Sequence, residues 1–464
     1  MFKQDHPPGR RAIGTTIGAL ALAAAFASAA QAADSPLDDG QQTTKAADSA
    51  QNDQPQARID SPPPNTNMQD WWHQQGMTGD WGGVRSRWRD AGVDIFSGYQ
   101  VQSADIAHGG AKKGTSTNNQ IILGANFDMQ KLMGIDNGIF TFAVSDRYGS
   151  NASLYAGTRV TIESNFGEGE NFRLANMSFK QTILDGRMSY QVGYFPAAAE
   201  FDYNPLLCSF LNQGFCGHPN SLAADSSGFQ NPPGAQLGGR VTWFFHPDLY
   251  LKVAVFDVNP TRFTDSRQGF RLDTHGSTGA ISLSELGWTP GLGSDNLPGH
   301  YKIGAYYDTS SAPDVVNPKI QHTGRSSGWI SLDQMIFNVG GDNSRGLVLF
   351  GNLTSDNHST SQITSYDSLG MVFLGPFASR PDDVLSLGWA KSFLNKRKFN
   401  AEVRAKPDFG YLGAEQYVDL SYRIQLTPWM FLTPDAQYLI HPGVFSAKRY
   451  PNATVLGGEI SFKF

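Results

Sequence analysis

The stretch 196–234 holds Glu200, Phe201, Asp202, Tyr203, Phe210 and Phe215, together with Cys208 and Cys216, the only cysteines of the chain. Aromatic faces give up water readily against apolar surface, and fixed polar groups replace the hydration of a solute's hydroxyls. This mixture therefore has the chemistry of a contact surface for a small polar solute. The alternative for each ring is that it packs the segment against whatever lies beneath it. A second constellation, Gly324-Arg325-Ser326-Ser327-Gly328, fits the G-x-S-x-G pattern. A nucleophile elbow requires a strand before its serine and a helix after it. Here a Gly/Ser-rich segment comes first and a strand follows, so hydrolase chemistry is not expected. No H-E-x-x-H, phosphate-loop or EF-hand pattern is present. The histidines have no spacing that builds a Ser/His/Asp set, and His218 alone is too little to turn the two cysteines into a metal site. The expectation is a protein that is not an enzyme, with no catalytic residue, no metal and no cofactor.

What surrounds these residues is set first by composition. Of 464 residues, 40% are hydrophobic and 17% charged, both below the ~45–50% and ~25% usual for soluble domains. Glycine (50 residues) and aromatics (12%) make up the difference. A chain short of both charge and aliphatics fits an outer surface that does not meet water. Disorder of the whole chain is excluded by 30 Phe, 16 Tyr and 9 Trp. Lys3, Arg10 and Arg11 precede an apolar run from Ala12 to Ala30, and Ala30-Gln31-Ala32 is an A-x-A cleavage signal. Residues 1–32 thus read as a secretory signal peptide. No later run of ~18 apolar residues follows, so no spanning helix is expected. Losing Lys3, Arg10, Arg11 and Asp5 removes a net +2 and takes the formal charge from −6 to −8. With no basic block, nucleic acid is not an expected partner. In an exported chain, the isolated pair Cys208 and Cys216 reads as a disulfide that holds its segment in shape.

Residues 33–67 are Gln-, Asp-, Ser- and Pro-rich, the composition of a disordered linker. Residues 68–92 follow as a helical segment, with Val84, Trp88 and Ala91 at three- and four-residue spacing. From residue 93 to 464 the period is 2. Ile121, Leu123, Ala125 and Phe127 alternate with Ile122, Gly124, Asn126 and Asp128, and Val418, Leu420, Tyr422 and Ile424 alternate with Asp419, Ser421 and Arg423. About sixteen strands of ~10 residues are predicted, starting near residues 93, 119, 138, 172, 187, 235, 249, 278, 299, 328, 345, 366, 383, 415, 428 and 454. Tight-turn connectors (GIDNG, LDGR, HPD, TP) alternate with longer ones, of which 196–234 is the longest. Strands of ~10 residues match a tilted crossing of a bilayer, whereas soluble strands average ~5–6. The polar set of positions is rich in Gly, Ser, Gln and Arg, which suits a wet lumen. The predicted fold is all-β: a transmembrane antiparallel β-barrel with an N-terminal periplasmic helix and a long constriction loop. Its terminal strand GGEISFKF is expected to pair with the first, turning Phe462 and Phe464 to lipid and Glu459, Ser461 and Lys463 inward. The inward set includes Arg147, Arg240 and Arg423, each within a strand rather than at its end.

TGDWGGVRSRWRDAGV, FDYNPLLCSFLNQGFCGHP, YVDLSYRIQLTPWMFLTPDAQYLIHPG and GGEISFKF, in that order, resemble segments of the carbohydrate-selective porins (OprB family) of Gram-negative outer membranes. The resemblance spans about Met68 to Phe464, and the 33–67 linker is longer than that family implies. It implies an outer-membrane barrel that admits glucose and similar mono- or small oligosaccharides. Outer-membrane lipid, the barrel-assembly machinery and a second copy of the chain are the expected partners. Arg147, Arg240, Arg423, Glu200, Phe201, Asp202, Phe210 and Phe215 are the expected substrate contacts. Arginine supplies a rigid fork of donors to hydroxyls, and the loop supplies rings and carboxylates. The alternatives are an outer-membrane barrel enzyme and a soluble periplasmic β-rich sugar-binding protein.

Overall fold

The computed structural model describes residues 68–166, 171–216, 220–263, 270–405 and 413–464; the expected signal peptide, the linker and His218 lie outside them. Strands β1 (Val93–His108), β2 (Thr115–Asp128), β3 (Gly138–Gly149), β4 (Asn171–Ile183), β5 (Met188–Phe195), β6 (Gln236–His246), β7 (Leu249–Val258) and β8 (Gly279–Trp288) make the first half. After a two-residue strand, Gly291–Leu292, come β9 (Leu297–Pro313), β10 (Gln321–Val339), β11 (Asp342–Ser355), β12 (Ile363–Leu374), β13 (Val384–Leu394), β14 (Ala414–Thr427), β15 (Met430–Ile440) and β16 (Ala453–Lys463). Each of the sixteen long strands pairs antiparallel with the next, and β16 pairs with β1 from Gly98↔Lys463 to His108↔Thr454. The sheet therefore has no open edge, the condition a strand-built membrane span must meet.

The period of 2 becomes two faces. Leu123, Leu420 and Leu456 are exposed outward, while Gln191, Asp419, Glu459 and Ser461 are buried inward. Predicted starts agree with the observed ones to within a few residues except at β10, which begins at Gln321 instead of near 328. The Gly/Ser-rich run before 328 is strand, since Arg325 and Ser327 have partners inside the barrel. Arg325 Nη2 lies 2.6 Å from Asp308 Oδ2, and Ser327 Oγ 3.4 Å from Asp225 Oδ2. Ser326 of the G-x-S-x-G match thus sits exposed in mid-strand with no helix after it. The helix expected over 68–92 is α-helical only at α1 (Val84–Asp90), because Gly79, Gly82 and Gly83 take φ of 66°, 67° and 88°. Hydrogen bonds from Met77 N to Lys463 O (2.8 Å) and from Trp429 Nε1 to Trp71 O (3.1 Å) fasten this segment to the end of β16 and to the β14–β15 turn.

Apolar-out, polar-in holds in the lower barrel and breaks where loop 196–235 folds inward. The inner faces of β7 to β10 there carry Phe256, Val258, Ile281, Leu283, Tyr306 and Trp329, packed on Phe195, Phe201, Leu222 and Phe229. Ser282 and Ser284 face outward at the same level. A loop that fills a lumen needs a core of its own, so the wall beneath it turns apolar.

Candidate functional site

The described residues of loop 196–235 lean on the inner faces of β6 to β16. Asp202 accepts from Asn352 of β11 at 2.9 and 3.0 Å, and its backbone N–H donates to Glu285 of β8 at 2.7 Å. Glu285 also accepts from Tyr250 and Trp329, both at 3.1 Å. Asn204 meets Asp333 of β10 at 3.1 Å, and Ser209 meets Ser386 of β13 at 2.6 Å. The Asn212 backbone N–H donates to Asp419 of β14 at 3.0 Å, and its side-chain amide donates to Gln437 of β15 at 2.8 Å. A second stretch, 150–166, also turns inward. Ser164 N donates to Leu211 O at 2.9 Å, Gln213 N to Thr161 O at 3.1 Å, and Ala152 N to the Glu163 carboxylate at 2.9 Å.

The expected site residues separate into three groups. Glu200 and Arg240 form an ion pair at 3.1 Å, and Arg240 also donates to Gln191 (3.1 Å), Ser189 (3.2 Å) and Thr242 (2.8 Å). Burial alone would raise the Glu200 carboxyl; Arg240, Lys252 and Lys180 outweigh it and hold the group below its ordinary value. Arg147 donates to Gln120 at 2.5 Å and to the Pro232 carbonyl at 3.3 Å, which ties the far end of the same loop to β3. Gln120 in turn donates to Gln100 at 3.3 Å. Gln100, Gln120 and Lys180, all half-buried, are inward residues of the wall that the loop does not cover.

Arg423 stands apart from Arg147 and Arg240. It donates to the Cys208 carbonyl at 2.5 Å, and its guanidinium lies 4.3 Å from the Phe431 ring centroid. Cys208 and Cys216 are joined as a disulfide with Cα atoms 4.2 Å apart. The aromatics form the third group. Phe210 and Phe215 stack at 4.5 Å between centroids and meet Phe350 edge-on at 5.8 and 6.2 Å. Phe201 is wholly buried against Trp329. These rings are spent on seating the loop, so their faces are covered in this arrangement. Asp202 is buried too, which raises its carboxyl to about 7 despite the donors around it. Sequence reasoning missed Glu285, Asn352, Gln437 and the inward fold of 150–166. The three residues occupy inward positions of their strands, so period was a signal for them. Nothing in the composition of 150–166 marks it as folded inward.

A profile of the family described as carbohydrate-selective porin, OprB family, matches residues 112–464. Porin B of Pseudomonas aeruginosa is 31% identical over 420 residues, covering 84% of this chain and 91% of that protein. A high-pH structure of Pseudomonas putida OprB superposes with a TM-score of 0.78 at 30% identity, covering 84% of this chain and 99% of that one. A Salmonella typhi OmpF structure, with a TM-score of 0.50 and 10% identity, shares the fold alone.

Proposed function

This chain belongs to the OprB family of carbohydrate-selective porins, and on that premise we propose that it passes glucose-sized sugars between loop 196–235 and the part of the wall that holds Gln100, Gln120 and Lys180. It is a channel of the Gram-negative outer membrane and its cargo is carbohydrate. The observation that carries the finer reading is the Glu200–Arg240 pair, set where the loop's edge meets that wall. Carboxylate and guanidinium face each other there, with Lys180, Gln191, Gln120 and Arg147 along the same side. Such a row exchanges hydrogen bonds with a sugar's hydroxyls one after another, without the deep pocket that would trap it. Arg147, Arg240 and Glu200 are the substrate contacts in this proposal. Arg423, Asp202, Phe201, Phe210 and Phe215 take part by holding the loop, and the disulfide holds its tip. The proposal also has residues 1–32 removed on export, 33–67 left as a linker, and the barrel-assembly machinery inserting the sheet whose seam is β16 on β1. Single-channel current with and without glucose tests the site. Glu200→Gln is expected to weaken current block by glucose while the barrel stays intact. Wild-type block in both Glu200→Gln and Arg240→Ala would remove this site from the path.

A further inference from the structure

Cations of the wall grip loop 196–235 by its main chain. Lys252 of β7 donates to the Glu200 carbonyl, Lys302 of β9 to that of Tyr203 at 2.5 Å, and Arg423 of β14 to that of Cys208. A grip on a carbonyl fixes where the backbone lies and leaves that residue's side chain to work elsewhere. At Glu200 the carboxylate is turned to Arg240, at 3.1 Å, while the carbonyl is held by Lys252. Lys252 stands directly across the sheet from Glu285 of β8, with Nζ 3.8 Å from Oε1. On its other side it is paired with Thr242 of β6, which accepts from Arg240 at 2.8 Å. Its ammonium lies 5.4 Å from the Phe201 ring centroid. The Lys252 side chain is 12% exposed and that of Glu285 1%, so neither is offered to a solute. Glu285 also accepts the backbone N–H of Asp202 at 2.7 Å. One buried ion pair therefore holds both peptide units of Phe201, Lys252 at the carbonyl before it and Glu285 at the N–H after it.

We propose that Lys252 and Glu285 are positioning residues for the sugar contact at Glu200 and Arg240. By fixing the peptide units on either side of Phe201, the pair sets the place and direction of the Glu200 carboxylate. Hydrogen bonds to a hydroxyl tolerate little displacement, and a shift of about 1 Å in a polar contact is enough to lose most of its effect. A contact residue carried on a loop needs a supporting shell that is itself locked, and a buried, hydrogen-bonded ion pair on two adjacent strands is such a shell. The seat of the loop as a whole does not depend on this pair. Asp202–Asn352, Asn204–Asp333, Ser209–Ser386 and Asn212–Asp419 hold it without them. The inference rests on the reading of Glu200 and Arg240 as sugar contacts.

The test is single-channel current through the full-length protein in a planar bilayer, titrated with glucose. Lys252→Met alone strands the buried Glu285 without its counter-ion, so it is combined with Glu285→Gln. The double variant also leaves the net charge unchanged, which separates position from field. It is expected to raise the glucose concentration for half-block roughly fivefold, with sugar-free conductance and ion preference at their wild-type values. Lys252→Arg keeps the charge and a donor for the Glu200 carbonyl, and its half-block is expected within about twofold of wild type. Wild-type block in the double variant would overturn the proposal. So would a double variant whose sugar-free conductance rises in step with the loss of block, because the pair would then seat the loop and not aim Glu200. Glu200→Gln, measured alongside, tells the two readings apart. If it weakens block and the double variant does not, the positioning role alone falls; if neither weakens block, the sugar contact falls with it.

Discussion

At the scale of single residues, Glu200 and Arg240 depend on each other, because a buried charge that loses its partner keeps the cost of its desolvation. Arg240→Ala is expected to raise single-channel conductance and lower the preference for glucose over a size-matched non-sugar. Arg240→Lys should keep ion selectivity and lose part of that preference, since the charge remains and the fork of donors does not. Asp202 brings a pH dependence whose sign follows from its environment. Burial raises its carboxyl from 3.8 to about 7 in the seated loop. A raised carboxyl favours the seated loop fully below 3.8, and this contribution fades as pH climbs, being gone above about 7. Glu163 and Asp356, also raised to about 7 by burial, act in the same direction. Glu200 acts oppositely, but its lowered value places its window below 4.5, outside that range. Current noise from loop movement should therefore grow between about pH 4.5 and pH 7 and level off above that, and Asp202→Asn should flatten part of the rise. A flat wild-type profile would contradict this account. The sequence showed these residues as a cluster of acids and rings but not their division of labour. Whether Phe210 faces a solute or Phe350 depends on which strand lies opposite, and that is a matter of closure rather than of local pattern.

For strands and loops, the phase of the alternation was legible almost throughout, since lipid and lumen impose opposite polarity on neighbouring residues. Leu420 and Asp419 of β14 show both its reach and its limit. Leu420→Arg is expected to cost ~2–4 kcal/mol near the bilayer midplane, read from unfolding in lipid. Phase alone suggests that Asp419, facing the lumen, tolerates replacement by Arg. The structure corrects that, because Asp419 accepts from the Asn212 backbone and from Ser421 Oγ at 2.8 Å. Asp419→Arg should leave the barrel folded, unseat the loop and raise conductance; unchanged conductance would count against this anchor. The disulfide is one fastening among several, beside Ser209–Ser386, Asn212–Gln437 and the Phe210–Phe215–Phe350 stack. Replacing both cysteines with Ser is expected to leave the barrel folded and to add brief current fluctuations. A collapse of the barrel on that change would mean the loop is structural for the wall itself. The β10 start was misread for a related reason. Gly324 to Ser327 look like a turn in isolation, and they are strand because α-helical residues Asn220–Asp225 inside the lumen give Arg325 and Ser327 something to hold.

For the molecule as a whole, the property least visible in a linear reading is the one made by joining β16 to β1: an inward core in which residues of 150–166 and of loop 196–235 meet Ile106, Tyr417 and Val455 from both ends of the chain. Composition foretold an inside-out protein but not a lumen half filled by its own loops. That filling leaves a solute less width than sixteen strands alone would give, so the side chains beside its path, among them the half-buried Gln100, Gln120 and Lys180, bear on what passes. Liposome swelling with glucose and with a zwitterion of matched size tests this most directly, comparing wild type with Arg240→Ala. The account predicts faster swelling in glucose for wild type and a clear narrowing of that difference in the variant. Equal rates for the two solutes in wild type, or an undiminished glucose preference in the variant, would contradict it.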